Sequence, residues 1–138
     1  MNFKYFSLDD GSEISLYVFN ADLTEFNELS EFGYACAEKG YKNDAELLKE
    51  HAKKYGYEYI HYSWGDYLKN YISEPSHIIT RLFLKKREHC VSGIDYPFPK
   101  ITENNIKEAL IFQDEWNDIL VVAKLTESYV GYWWQTTV

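Results

Sequence analysis

The chain has 138 residues, 22 acids against 14 Lys and Arg, and a formal net charge of −8. That length fits one domain able to bury a core without disulfide or metal support, and a composition of 46% hydrophobic and 18% aromatic residues excludes a chain too polar to fold. The acidic balance argues against a phosphate backbone or an anionic membrane as the main partner.

No apolar run approaches the roughly 20 residues needed to span a bilayer, and residues 1–7 lack the apolar stretch of a secretory signal. A cytoplasmic location is the expectation. Cys36 and Cys90 lie far apart in sequence with no second pair, which fits reduced, buried thiols rather than a disulfide scaffold or a zinc site. The charge is unevenly spread: residues 1–50 hold 11 acids and 4 bases, residues 51–100 hold 5 and 8, and residues 101–138 hold 6 and 2. From Asp9 to Glu31 seven acids follow one another without a Lys or Arg. Such a face attracts a basic protein within about a Debye length, or else only aids solubility.

In chain order, residues 2–19 carry two apolar arms around Asp9-Asp10-Gly11-Ser12, and Asp-Gly between such arms predicts a β-hairpin. In its second arm Ile14, Leu16 and Val18 alternate with Glu13, Ser15, Tyr17 and Phe19, so one face is core and the other partly exposed. Asp22 and Glu25 have capping-box spacing, and Leu23, Phe26, Leu29, Phe32 and Cys36 fall near one stripe, predicting a helix over 22–39 that stops at Gly40. Asn43 with Glu46 repeats the pattern, predicting a second helix over 44–55 that ends at Gly56.

Residues 57–63 are rich in strand formers and are expected as a strand. Trp64, Tyr67, Leu68, Tyr71 and Ile72 recur at helical spacing, with Asp66 as a possible cap. Ser73-Glu74-Pro75-Ser76 breaks the chain, with Pro75 suited to the first turn of another helix. Residues 78–87 fit either period and are assigned to a helix whose Lys85, Lys86 and Arg87 suit its negative end. Pro97 and Pro99 force Tyr96 and Phe98 into extended geometry. A cap at Thr102, with Ile101 and Ile106 as a staple, predicts a helix over 103–112, leading into an acidic loop, Gln113-Asp114-Glu115-Trp116-Asn117-Asp118.

Residues 119–138 read as a closing β-hairpin, broken at Thr126-Glu127-Ser128. Its first arm is apolar at nearly every position, so both faces of that strand should be covered. The expected fold is a single α+β domain spanning 1–138, with a mostly antiparallel sheet built from the N- and C-terminal hairpins and packed against several helices.

None of His51, His61, His77 and His89 sits in a metal-binding or catalytic spacing, and no Gly-rich phosphate loop occurs. The carboxylate pairs Asp9-Asp10 and Asp114-Glu115 lack a calcium-loop pattern and read as solvated charges. No cofactor, metal or catalytic residue is therefore expected. Tyr132, Trp133 and Trp134, like Tyr57, Tyr59 and Tyr62, could form a stacking platform, yet the only basic run is Lys85-Lys86-Arg87. Strand alternation places Trp133 and Trp134 in two separate core layers.

The acidic stretch from Asp9 to Glu31, the loop Asp114-Glu115-Trp116-Asn117-Asp118 and the aromatic end Gly131-Tyr132-Trp133-Trp134-Gln135-Thr136-Thr137 give the chain its character. In these it resembles the immunity proteins of bacterial polymorphic toxins and contact-dependent growth inhibition systems. The resemblance implies a cytoplasmic, non-enzymatic protein that binds a cognate toxin domain, often a basic nuclease, and blocks its active site or substrate surface. The contact face expected for that task combines Glu25, Glu28 and Glu31 with Asp114, Glu115, Trp116 and Asp118, charge for encounter and an indole for anchoring. Two other classes stand beside it: an enzyme using His61 and Asp66, and a regulatory or structural homodimer pairing through Trp133 and Trp134 on an exposed strand. The sequence leaves monomer and homodimer both open.

Overall fold

The structure is a computed structural model that describes residues 1–8, 13–60 and 62–137. The strands are β1 (Asn2–Leu8), β2 (Ile14–Asp22), β3 (Ser76–His77), β4 (Ile106–Glu115), β5 (Asp118–Leu125) and β6 (Ser128–Thr136). The helices are α1 (Leu29–Tyr55), α2 (Trp64–Tyr71) and α3 (Thr80–Val91). All strand pairs are antiparallel, in the order β1-β2-β6-β5-β4-β3. The fold is thus the expected α+β, with the N- and C-terminal hairpins joined through β2 and β6 at the centre of one sheet. The predicted Asp-Gly turn falls on residues outside those described, but the arms it would join do pair.

Helices cover both faces of the sheet, as the unbroken apolar run of β5 required. Leu120 and Val122 belong to the core under α1, while Ile119, Val121 and Ala123 belong to the core under α3. Trp133 and Trp134 divide in the same way, one to each core. The second face of β2 is also closed, since Tyr17 and Phe19 are fully buried rather than partly exposed. The two thiols are buried on opposite faces, Cys36 under α1 and Cys90 under α3.

Four sequence expectations give way to tertiary structure. The predicted helices 22–39 and 44–55 are one helix that starts later, at Leu29, and passes through Gly40 without stopping. Asp22 N–H does donate to Glu25 Oε2 at 3.0 Å, one of the two bonds of a capping box, but Glu25 N–H donates to the Asp22 backbone carbonyl at 3.0 Å rather than to its side chain, and the pair closes a turn at the end of β2. Gly40 lies on the buried stripe Leu29, Phe32, Gly33, Cys36, Ala37 and Gly40, where the helix presses on the sheet. Gly56 does end α1, in left-handed geometry at φ 75°, its N–H bonded to the Ala52 carbonyl.

Residues 57–60 and 62–63 form no strand. Their strand-forming side chains pair with no strand and stay largely exposed, Tyr57 stacking on Tyr55 at the end of α1. The predicted helix over 103–112 is a single 3-10 turn, Glu103–Asn105, followed by β4. The Thr102 cap is real, in a capping box with Asn105, but pairing with β5 takes the chain over after one turn. Pro75 likewise leads into the short strand β3, not a helix. The helix assigned to 78–87 is present as α3. Among the described residues no helix is long and apolar enough to cross a membrane.

Candidate functional site

The register of β6 fixes the two ends of the sheet. Ser128 pairs with Asp22 at one end, and Gln135 pairs with Asp118 at the other. These positions are seven residues apart along β6, about 23 Å at the usual strand rise. Glu25, Glu28 and Glu31 follow β2 at the first end, whereas Asp114, Glu115, Trp116 and Asp118 form the β4–β5 turn at the second. The structure does not bring the two acidic groups together.

At the first end the acids serve local structure. Glu25 holds the N-terminal ammonium at 2.7 Å, which keeps its carboxyl below the usual range. Glu28 accepts from the Ser30 hydroxyl at 3.0 Å, and Glu31 accepts from the Asn27 N–H at 3.1 Å. Glu31 also lies in the first turn of α1, where negative charge suits the helix dipole.

At the second end the loop expected from sequence is a tight turn, with Glu115 paired to Asp118 and only Trp116 and Asn117 between them. The Asn117 carbonyl accepts from Thr136 N–H at 3.0 Å, which ties the turn to β6. Asp114 is ion-paired with Lys86 of α3 at 2.5 Å. Asp118 turns inward and accepts from the Trp133 indole N–H at 2.7 Å. Burial pushes its carboxyl up to about 6, against the opposing hydrogen bonds from Trp133 and Gln135. The outward groups are Glu115 and Trp116, the indole 71% exposed.

Beside this turn lies a surface that the sequence did not reveal. The second half of α1 runs past the buried stripe and meets α2 and residues 57–60 and 62–63. Tyr67 is the hub: its ring centroid lies 4.7 Å from that of Tyr41, 5.7 Å from Trp64, 5.5 Å from Tyr71 and 6.2 Å from Trp133. Rings therefore run continuously from the core to the surface. The Tyr41 hydroxyl donates to the Tyr62 carbonyl and holds residues 62–63 near the helix. Between them is a groove of about 230 Å³, lined by Tyr41, Asp44, Leu48, Ile60, Tyr67 and Tyr71 among others.

Asp44 is the carboxylate of that groove. It accepts from the Tyr17 hydroxyl, which in turn accepts from Asn43 Nδ2 at 3.1 Å. Burial raises the Asp44 carboxyl above its ordinary range. Burial, with the Asp44 charge, drives the Tyr17 hydroxyl far upward, so that it remains a donor. A second, wider cleft lined by Tyr67, Tyr71, Glu115, Asn117, Asp118 and Gln135 joins the groove to the hairpin turn. Groove and cleft thus meet at the β4–β5 end of the sheet on the α1 side, while Trp116, in the same turn, lines a separate pocket against α3 with Leu82, Lys85, Lys86 and His89. The signal available in sequence was Tyr67 and Tyr71 at helical spacing, which reads equally well as core.

Among the described residues the groups that would serve catalysis stay apart. His51 lies against Tyr55 at 4.6 Å, His77 is 3.8 Å from Glu108, and His89 meets the edge of Trp134 at 4.7 Å. His61, half of the expected enzyme pair, lies outside the described residues, and the N–H of its partner Asp66 bonds to the Ser63 hydroxyl at 3.1 Å in the first turn of α2. Ser63, not Asp66, is the cap. Among the described residues no three His, Cys, Asp or Glu side chains gather as a metal site. Both thiols are held up by burial, Cys90 to about 12. The route proposed for a homodimer is closed, because β6, which carries Trp133 and Trp134, lies between β2 and β5 rather than at an edge. No protein-family model matches the chain, and no curated protein or solved structure is significantly similar to it.

Proposed function

We propose that the chain is an inhibitory binding protein of the immunity type, which neutralises a basic toxin domain through the end of the sheet that carries Trp116 and the tyrosine groove. The observation that supports this reading is the concentration of exposed apolar groups Leu48, Ile60, Tyr62 and Tyr71 near the carboxylates Asp44, Glu115 and Asp118, with the exposed Trp116 on the α3 side of the same turn. Clustered exposed aromatics mark partner surfaces, and tyrosine and tryptophan are the preferred anchors of tight interfaces. A net charge of −8 speeds encounter with a basic partner. Nuclease domains are basic because they hold phosphates, so an acidic surface with aromatic anchors is suited to cover one.

Relative to the face expected from sequence, Glu25, Glu28 and Glu31 leave the contact and the tyrosines of α1 and α2 enter it. The test is co-expression with the product of the gene immediately upstream, where an immunity gene's toxin normally lies. A complex that survives gel filtration, together with relief of that product's toxicity, is the expected result. A product that is harmless alone, or toxic and unbound, overturns the reading.

A further inference from the structure

The groove between α1, residues 57–60 and 62, and α2 is walled by Tyr41, Tyr59, Tyr62, Tyr67 and Tyr71, and among its described lining residues the one carboxylate is Asp44. No Lys or Arg is among its described lining residues, and Lys42 on the same helix is paired with Glu38 at 2.6 Å. Aromatic faces carry partial negative charge, so rings arranged beside a carboxylate favour a cation that leaves water. The groove's volume of about 230 Å³ is below the roughly 300–1,000 Å³ of small-molecule sites, which suits one side chain. Leu48 and Ile60 at its rim offer apolar cover for an alkyl stem.

We propose that this groove receives an arginine side chain of the basic partner, its guanidinium stacked on the tyrosine rings and facing Asp44. Arginine is chosen over lysine because its planar, weakly hydrated cation stacks on rings and meets a carboxylate with two donors. The inference rests on the proposed function and names what the partner inserts. Burial that holds the Asp44 carboxyl up in the free protein also means that an arriving cation stabilises its ionised form.

The experiment is an NMR titration of the full chain with hexa-arginine, hexa-lysine and hexa-glutamate. Hexa-arginine is expected to give saturable shifts at the Leu48 and Ile60 methyls and the Tyr71 ring, with hexa-lysine weaker and hexa-glutamate without effect there. Tyr71→Ala, at a residue 53% exposed, is expected to keep the fold and weaken hexa-arginine about fivefold or more, the loss of one cation–ring contact. Asp44→Asn should weaken it similarly, and Tyr71→Ala alone decides the matter if that variant does not fold. Absence of shifts at these groups, equal binding by wild type and Tyr71→Ala, or equal binding of hexa-lysine overturns the proposal. Because no toxin is needed, the two claims fail separately: hexa-arginine seated in a chain that ignores the upstream product removes the function and keeps the groove.

Discussion

The indole of Trp133 occupies the space that a side chain on Gly40 would need: a Cβ built at Gly40 would come within 2.5 Å of the ring. The indole cannot readily yield, since it is fully buried and its N–H is bonded to Asp118 at 2.7 Å. One glycine therefore sets how closely α1 lies on β6, and through Trp133 how the Asp118 carboxylate is held.

Gly40→Ala should therefore destabilise the protein. In an open helix the change would gain about 0.5–1 kcal/mol. Overpacking a rigid core costs about 1–3 kcal/mol, so the expected net effect is a loss, read from urea unfolding. Gly33→Ala should behave alike, since its Cβ would come within 2.1 Å of the Phe112 ring. An increase in stability for both would mean that the helix does not approach the sheet this closely.

Asp118 gives the stability a pH dependence of known sign. Its carboxyl is raised from 3.8 to about 6, first by burial and further by the charges of Asp44 and Glu115. The native state thus holds a proton that the unfolded chain releases, so this contribution is present below pH 3.8 and lost as pH rises through about 6. Asp118→Asn removes it while keeping an acceptor for Trp133. The stability of wild type minus that of the variant should fall between pH 4 and pH 6.5, and a flat or rising difference would contradict the buried placement.

Tyr17→Phe removes the donor to Asp44 and the acceptor of Asn43. Leaving those polar groups short of a partner should cost about 1–3 kcal/mol. Tyr5→Phe is the control: that hydroxyl meets Ser15 Oγ at 3.3 Å on the surface, and surface changes of this kind stay within about 0.5 kcal/mol. Equal effects at the two positions would remove the Tyr17–Asp44 bond from the account.

Trp116→Ala should separate binding from folding. With the indole 71% exposed, unfolding free energy should move by less than about 0.5 kcal/mol. Partner affinity should fall by at least about 2 kcal/mol if the indole is an anchor. Glu28→Lys, at the far end of the sheet, should leave affinity unchanged. The reverse pattern would return the contact to the Glu25–Glu31 end.

The hairpins were legible because their patterns are local: alternation in β2, an unbroken apolar run in β5 and punctuation between arms. What misled was also local. Gly40 reads as a helix stop, and only the position of Trp133 shows that it is a point of close approach. Thr102 and Asn105 form a true cap, yet strand pairing, which no cap encodes, turns the following residues into β4. Acids can be counted in a sequence, but which end of a sheet they occupy follows from register, so Glu28 and Asp118 could be joined on paper and not in space. The tyrosine groove draws on three chain segments and had no single-segment signature.

The most direct test is hydrogen exchange of the chain, free and in complex with the upstream gene's product. The account predicts added protection over residues 57–71 and 113–119, with residues 22–31 unchanged. Protection confined to residues 22–31, or none at either end in a complex that forms, would contradict it.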